Sequence, residues 1–119
     1  MPDTGRVLII EEEALLALEI EDVLAERGLG EFRHYRRVAE AERHFEELSA
    51  FRLAIIEARL GAAEVVAFTE RLTKAGVAIV VMSADRAAVE FFPHAAALAK
   101  PFDSAGLLAA CDAAMAGVS

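Results

Sequence analysis

The sequence lacks several features that mark membrane, secreted and nucleic-acid-binding proteins. No apolar run approaches the ~20 residues that a membrane span needs, and residues 1–6 lack the charged start and apolar middle of a secretory signal. A single cysteine cannot form an internal disulfide, which fits a reducing compartment. The net charge of −8 argues against nucleic-acid binding, because phosphate contacts need clustered lysine and arginine. We therefore expect a soluble, acidic, cytoplasmic protein with no membrane or nucleic-acid partner.

Strand patterns alternate with helix patterns along all 119 residues, without a linker or low-complexity stretch. This order predicts a single α/β domain over residues 1–119, in which five βα units with right-handed crossovers form a doubly wound parallel sheet. The predicted strands cover about residues 6–10, 31–36, 52–57, 77–83 and 96–99. The predicted helices cover about residues 14–27, 38–49, 63–75 and 85–92, and a last one runs from an N-cap at Asp103 or Ser104 to about Met115.

Some packing can be predicted from the same patterns. The second strand is the most polar of the five and is expected at the sheet edge. The first helix has Leu15 and Leu18 among its apolar positions. Phe91 and Phe92 are expected to pack under the short fourth helix, with a partly exposed protein-binding patch as the alternative. Cys111 belongs to the apolar side of the last helix and is expected to be inert core.

Four of the predicted strands end at charged or hydroxyl residues. In an open parallel sheet, ligands and chemistry collect outside the carboxyl ends of the strands. These side chains are therefore predicted to form one polar site at that edge of the sheet. The residues concerned are Glu11, Glu12 and Glu13 after the first strand, Glu57 after the third, Ser83 after the fourth and Lys100 after the fifth.

The order of these strand ends resembles the receiver domain of bacterial two-component response regulators, from Arg6 to the end of the chain. The resemblance implies a flavodoxin-like (βα)5 fold with strand order 2-1-3-4-5 and a role in signal transduction. It also implies a site for Mg²⁺, held by the acids and by the main-chain carbonyl of Arg59. The matching positions are Glu11 and Glu12 for the metal-binding acid pair, Glu57 for the phosphoacceptor aspartate, Ser83 with Ala84 for the switch hydroxyl, and Lys100 with Pro101 for the lysine–proline pair.

The chain departs from the family at the acceptor, because it carries glutamate where the family has aspartate. The extra methylene of Glu57 pushes its carboxylate about 1.5 Å further into the pocket, and a displacement near 1 Å can cost roughly 10²-fold in rate. Glu11 and Glu12 are lengthened too, so three long acids crowd the place of a metal. Without the metal, their repulsion should raise at least one pKa or recruit a cation, either Lys100 or Arg59.

Most site residues also have a simpler interpretation. Glu13 and Glu11 suit a solvated helix start, where the helix dipole favours acidic side chains. Ser83 can simply end its strand, Lys100 can be a surface lysine, and Arg59 can be a solvated loop residue. These alternatives stay open at the level of the sequence.

The parts that report phosphorylation in receivers are reduced here. The family often carries an aromatic residue three positions before the lysine, and its rotation reports phosphorylation. In this chain that position is Ala97. The stretch from Glu57 to Lys100 is also shorter than usual by roughly two helical turns, which we assign mainly to a shortened fourth helix.

We expect a stand-alone receiver that works as a phosphorylation-independent protein-interaction module, without enzyme activity or a cofactor. Glu57 would then be a permanent negative group held by Lys100. Since the sequence ends shortly after the last helix, the effect would be exerted by contact with a histidine kinase, a downstream regulator or a second copy. The contact surface would be the fourth helix, fifth strand and fifth helix, or the first helix, which kinases use in the family.

Two other functions are compatible with these residues. In the first, the chain binds Mg²⁺ weakly and accepts a phosphoryl group from a histidine kinase on Glu57 or Glu12. In the second, it is a flavodoxin-like cofactor binder. The second is disfavoured, because Glu11, Glu12 and Glu13 would repel a phosphate in the turn after the first strand.

Overall fold

Five parallel strands form one sheet in the computed structural model, which describes residues 5–58 and 63–118. The strands are β1 (Val7–Ile10), β2 (Phe32–Tyr35), β3 (Leu53–Glu57), β4 (Ala78–Ser83) and β5 (Ala96–Ala99). Their spatial order is β2-β1-β3-β4-β5, and each neighbouring pair is parallel. The predicted flavodoxin-like fold and strand order are therefore confirmed.

Helices flank the strands in sequence. They are α1 (Ala14–Glu26), α2 (Val38–Glu42), α3 (Phe45–Leu48), α4 (Ala63–Lys74), a 3₁₀ helix (Arg86–Phe91) and α5 (Ser104–Ala116). The prediction of one continuous helix over 38–49 is wrong, because the His44 N–H donates to the Ala41 carbonyl at 2.9 Å and tightens the turn there. The third predicted helix is thus α4. The predicted shortening of the fourth helix is confirmed, since a six-residue 3₁₀ helix stands in its place.

The core lies on both faces of the sheet. Val7 and Ile9 of β1 are buried against α1 and α5, whereas Leu8 and Ile10 are buried against the elements on the opposite face. Successive side chains of a strand point to opposite faces. A strand covered on both sides must therefore be apolar at every position, which explains the nearly continuous apolar runs.

The outer face of α1 carries two exposed leucines. Leu15 is 77% exposed and Leu18 is 53% exposed. The buried positions of this helix are Ala17, Ile20 and Leu24. These three residues are spaced by three and four and already cover the sheet, so the leucines on the opposite side of the helix are left in solvent.

The C-terminal part of the chain confirms some packing predictions and corrects one. Cys111 is buried, and Asp103 is the N-cap of α5, where its side chain accepts the Gly106 N–H at 2.7 Å. Phe92 is buried, but Phe91 is 49% exposed. The prediction that both phenylalanines pack under the short helix is therefore wrong for Phe91.

The edge position of β2 agrees with its polar sequence. Arg33 forms two hydrogen bonds with the Glu47 carboxylate, at 2.8 and 3.1 Å, and donates a third to the Tyr35 hydroxyl at 3.3 Å. The Arg33 guanidinium also lies 5.9 Å from the centre of the Phe51 ring. A charged side chain on the edge strand is thus held by contacts with Glu47, Tyr35 and Phe51. Within the described parts of the chain, no helix has the length and apolar content needed to cross a membrane.

Candidate functional site

The carboxyl ends of β1, β3, β4 and β5 meet at one edge of the sheet. Glu57 is the last residue of β3 and lies opposite Met82 of β4. The Lys100 N–H donates to the Ser83 carbonyl at 2.9 Å, which continues the pairing of β5 with β4 by one residue. In the same way, the Glu11 N–H donates to the Tyr35 carbonyl at 3.1 Å and continues the pairing of β1 with β2. This pairing brings Glu11, Glu57, Ser83 and Lys100 to the same edge.

Lys100 lies between two carboxylates. Its Nζ atom is 2.8 Å from Glu57 Oε2 and 2.9 Å from Glu11 Oε1. The Glu11 side chain is 0% exposed, and those of Lys100 and Glu57 are only 15% and 21% exposed. We call these three residues the carboxylate–lysine triad. Because water has little access to it, the attraction between its charges is screened less than at the surface.

The triad shifts the pKa of two of its members. Burial opposes ionisation of Glu57, but the hydrogen bond and the positive charge of Lys100 outweigh it and hold the pKa of Glu57 below its ordinary 4.5. Burial also opposes the charge on Lys100, but its hydrogen bond to Glu57 and its close contact with the Glu11 carboxylate raise the pKa of Lys100 above 10.5. Both groups are therefore charged at neutral pH. Of the two cations that the sequence offers, Lys100 contacts the acids, while Arg59 lies outside the described residues.

Glu11 is a buried member of the site and not a solvated helix start. Its Oε2 atom accepts the Glu13 N–H at 3.0 Å. Its Oε1 atom faces Lys100 but makes no hydrogen bond of good geometry within the described parts of the chain. The reason for its burial is that strand pairing continues one residue beyond Ile10.

The other two acids of the triplet lie closer to solvent. Glu12 is half-buried and lines an open cavity of about 490 Å³, together with Arg36, Arg37 and Glu64. The main chain of Glu12 also hydrogen-bonds to the Glu57 carboxylate. Glu13 is exposed at the start of α1, where its side chain makes no capping hydrogen bond.

The Ser83 hydroxyl is occupied by the loop that follows β4. It donates to the Asp85 carbonyl at 2.9 Å and accepts the Asp85 N–H at 3.0 Å. The Asp85 side chain in turn accepts the Ala87 N–H at 2.9 Å. Ser83 is buried, whereas the neighbouring Ala84 is exposed. In this arrangement the serine proton is directed to the main chain and not into the pocket.

The remaining predicted positions lie around β5. Ala97, at the position of the family's reporting aromatic residue, is exposed on β5. The peptide bond between Lys100 and Pro101 is cis, and Pro101 is exposed.

The described residues fit a magnesium ion poorly. Among residues 5–58 and 63–118, no three histidine, cysteine, aspartate or glutamate side chains converge closely enough to hold a metal ion. The space between Glu11 and Glu57 is taken by the Lys100 ammonium group. Mg²⁺ prefers oxygen ligands in octahedral geometry, and a lysine ammonium at hydrogen-bonding distance competes for the same carboxylates.

One residue near the site was not among the predicted ones. The Nε2 atom of His34 lies 2.8 Å from the main-chain oxygen of Glu11. His34 belongs to β2 and lies opposite Ile9, two residues before Glu11. Only the pairing register places it there, so the spacing of histidines along the sequence could not reveal it.

No model of a protein family and no curated protein matches this sequence. Solved structures do match. A response regulator receiver domain protein from Bacillus halodurans is 23% identical, with 93% of this chain and 97% of that chain covered and a TM-score of 0.76. A response regulator from Thermotoga maritima is 16% identical, over 96% and 99% of the two chains, with a TM-score of 0.78. The beryllofluoride-activated NtrC4 receiver domain, solved as a dimer, is 19% identical over 98% and 100%, with a TM-score of 0.77. This chain therefore has the fold of response regulator receiver domains.

Proposed function

We propose that this chain is a receiver-type signalling domain that acts as a protein-interaction module without being phosphorylated. Glu57 stands at the acceptor position as a permanent negative group, and the domain is neither an enzyme nor dependent on a cofactor. The observation that carries the proposal is the contact of 2.8 Å between Lys100 Nζ and Glu57 Oε2. In this contact the lysine charge is already paired with a carboxylate, whereas phosphoryl transfer would need a cation for the incoming oxygens. We also propose that this role is carried out in the cytoplasm.

The groups needed for phosphoryl transfer are already engaged. Transfer to a carboxylate needs a free nucleophilic oxygen, a cation for the incoming oxygens, and donors that hold the product. Here Lys100 donates a hydrogen bond to Glu57 Oε2, and the Ser83 hydroxyl donates one to the main-chain carbonyl of Asp85. Both contacts would have to break before a phosphoryl group could be held. The longer side chain of Glu57 adds a misplacement of about 1.5 Å to this obstacle.

The outer face of α1 supports a protein partner. Leu15, Leu18 and Asp22 are exposed and follow one another at the three- and four-residue spacing of a single helix stripe. Glu19 is exposed beside them. Such a surface suits a partner with apolar side chains flanked by lysine or arginine. A histidine kinase or a downstream regulator is the partner we propose for it.

The side formed by the 3₁₀ helix, β5 and α5 is the second surface for a partner. It offers the half-exposed Phe91 and the exposed Ala97. A second copy of this chain is the occupant to test there, since the NtrC4 receiver domain forms a dimer.

A second function, phosphorylation with bound Mg²⁺, is favoured by one observation. Glu11 Oε1 is buried and lacks a hydrogen bond of good geometry within the described parts of the chain. An oxygen in this state is a ligand that a cation could use. If Lys100 moved aside, Glu11 and Glu57 would be available to the ion, and Glu57 would be the acceptor.

An amide NMR titration with Mg²⁺, followed by beryllofluoride, separates the two functions. For the interaction module, we expect no clustered shifts at Glu12, Glu57, Ser83 or Lys100 beyond those caused by sodium chloride of equal ionic strength. Shifts at these residues that grow with the phosphoryl mimic would contradict the proposal and establish a working phosphoswitch.

A further inference from the structure

The main chain of Glu11 stands where the pairing of β1 with β2 comes to an end. The Val7 N–H donates to the Glu31 carbonyl, and the Glu11 N–H donates to the Tyr35 carbonyl, both at 3.1 Å. In a parallel ladder of this spacing, the next donor is the N–H of Arg37, directed at the Glu11 carbonyl. The chain instead turns away, and Arg37 becomes the N-cap residue of α2.

The side chain of His34 replaces that missing donor. Its Nε2 atom lies 2.8 Å from the Glu11 carbonyl oxygen. A carbonyl oxygen can only accept, so Nε2 must carry the hydrogen in this contact. Without the contact, the Glu11 carbonyl would lose this donor at a partly buried position, and an unsatisfied acceptor in such a position is destabilising.

Glu11 is in this way held at both its main chain and its side chain. Tyr35 holds its N–H and His34 holds its carbonyl, while Glu13 and Lys100 hold its two carboxylate oxygens. We propose that His34 is a positioning residue for the carboxylate–lysine triad and that it acts through the Glu11 carbonyl. A rotation of the Glu11 peptide plane would displace the buried carboxylate and lengthen its 2.9 Å contact with Lys100.

This role goes beyond the proposed function and does not depend on it. It concerns the geometry of Glu11 and Lys100, which is the same whether or not a phosphoryl group is ever transferred to Glu57. It also assigns a task to a histidine whose hydrogen bond goes to the main chain of Glu11 and not to Glu57 or Lys100.

Three substitutions of His34 separate a positioning role from a merely stabilising one. The side chain of His34→Gln places an N–H donor at about the position of Nε2. The side chain of His34→Asn has a donor but is too short to reach the Glu11 carbonyl, and His34→Leu has no donor. The readout is the NMR signal of the Lys100 ammonium protons, whose exchange with water is slowed by contacts with both carboxylates. We expect exchange to be about tenfold faster in the Asn and Leu variants, which corresponds to about 1.4 kcal/mol. The Gln variant should return to the native rate.

His44 provides the matched control. It stacks on Tyr35 at 5.6 Å between ring centres, and its side chain donates no hydrogen bond to Glu11 among the described residues. His44→Leu should therefore change stability without changing the exchange of the Lys100 ammonium group. A folded His34→Leu variant with native exchange would overturn the proposal, and so would a folded His34→Gln variant that fails to restore it.

A measurement on the unchanged protein covers the case in which the variants do not fold. Long-range proton–nitrogen correlation NMR reports which ring nitrogen of His34 carries the hydrogen. We expect the hydrogen on Nε2. A neutral ring protonated only on Nδ1 would rule out donation to Glu11 and with it the proposed role.

Discussion

The pocket at the ends of β1 and β3 and the segment from the end of β4 to β5 are built in opposite ways. In the pocket, long charged side chains are buried and bonded to one another, with Lys100 within 3 Å of both Glu11 and Glu57. Around β5, alanine occupies three of the four strand positions, and the preceding helix is a 3₁₀ helix of six residues. The charged side chains of the pocket are thus tied together by ion pairs, whereas the β5 side has small side chains and a short helix. In the function proposed above, the contacts of this pocket maintain a fixed state and do not form a switch.

The largest effect on stability is expected when the central cation of the pocket is removed. Lys100→Met leaves two carboxylates close together without a partner charge, and we expect a loss of about 3 kcal/mol in the free energy of unfolding. Urea denaturation at pH 7 measures it. The chain has only one other lysine, Lys74, which is exposed at the end of α4. Lys74→Met should cost less than about 0.5 kcal/mol, and equal losses in the two variants would show that the triad is not a special source of stability.

A shorter side chain at position 57 should increase the response of the pocket to Mg²⁺ and to a phosphoryl mimic. Glu57→Asp withdraws the carboxylate by about 1.5 Å and loosens its contact with Lys100. We expect about tenfold tighter Mg²⁺ binding, equivalent to 1.4 kcal/mol, and some response to beryllofluoride, both followed by amide NMR. Glu13→Asp, which shortens an exposed acid after β1, is the control and should change neither. If Glu57→Asp gains nothing in either titration, side-chain length is not the main defect of the site.

The pH dependence of stability tests the pair from another side. The pKa of Glu57 is lowered in the folded state, so its stabilisation is complete above the unfolded value near 4.5 and is lost as pH falls through the folded pKa. The wild type should therefore be more stable than Glu57→Gln at pH 7, by about 1 kcal/mol. This advantage should shrink below pH 4.5 in urea denaturation series at stepwise lower pH. An advantage that is constant down to pH 2 would contradict the assigned direction.

The pKa of Lys100 predicts a loss of stability on the alkaline side of the same pH dependence. It is raised in the folded state, so the stabilisation it gives is present below the ordinary 10.5 and is lost as pH rises through the folded pKa. The pair thus stabilises the fold most between these two limits.

The smallest effect on stability is expected from a substitution on β5. Ala97 is exposed on β5, and Ala97→Phe restores an aromatic residue that suits a strand. We expect a change in the free energy of unfolding within about 0.5 kcal/mol, again by urea denaturation. A loss as large as that from Lys100→Met would show that the β5 side is as tightly constrained as the pocket, and the comparison would fail.

The sheet could be predicted from the sequence to a large extent, and the reason lies in the strands. A strand buried on both faces must be apolar throughout, so β1, β3 and β4 are visible as runs, and polar β2 is recognisable as an edge. The helices were harder. In α1, alanine and leucine occur on every side, and the choice of Ala17 over Leu15 for the core depends on how the helix lies on the sheet.

The candidate site could be predicted in its membership but not in its pairing. The strand ends indicated which residues meet, while the sequence left open whether Glu11 is buried or solvated. That outcome depends on one additional backbone hydrogen bond, from Glu11 to Tyr35, beyond the end of β1. The contact of His34 with Glu11 depends on the same register. His34 and Glu11 are 23 residues apart in the chain, so no local sequence pattern indicates their contact.

The fixed guanidinium of Arg33 on β2 has a consequence for the behaviour of the protein at high concentration. An open strand edge is a template on which further chains can add and fibrils can grow. At β2, an arriving strand would meet an arginine fork that Glu47 and Tyr35 already hold in place. Displacing or desolvating that fork opposes strand addition. The polar sequence that is found at the β2 edge therefore also opposes the addition of further strands there.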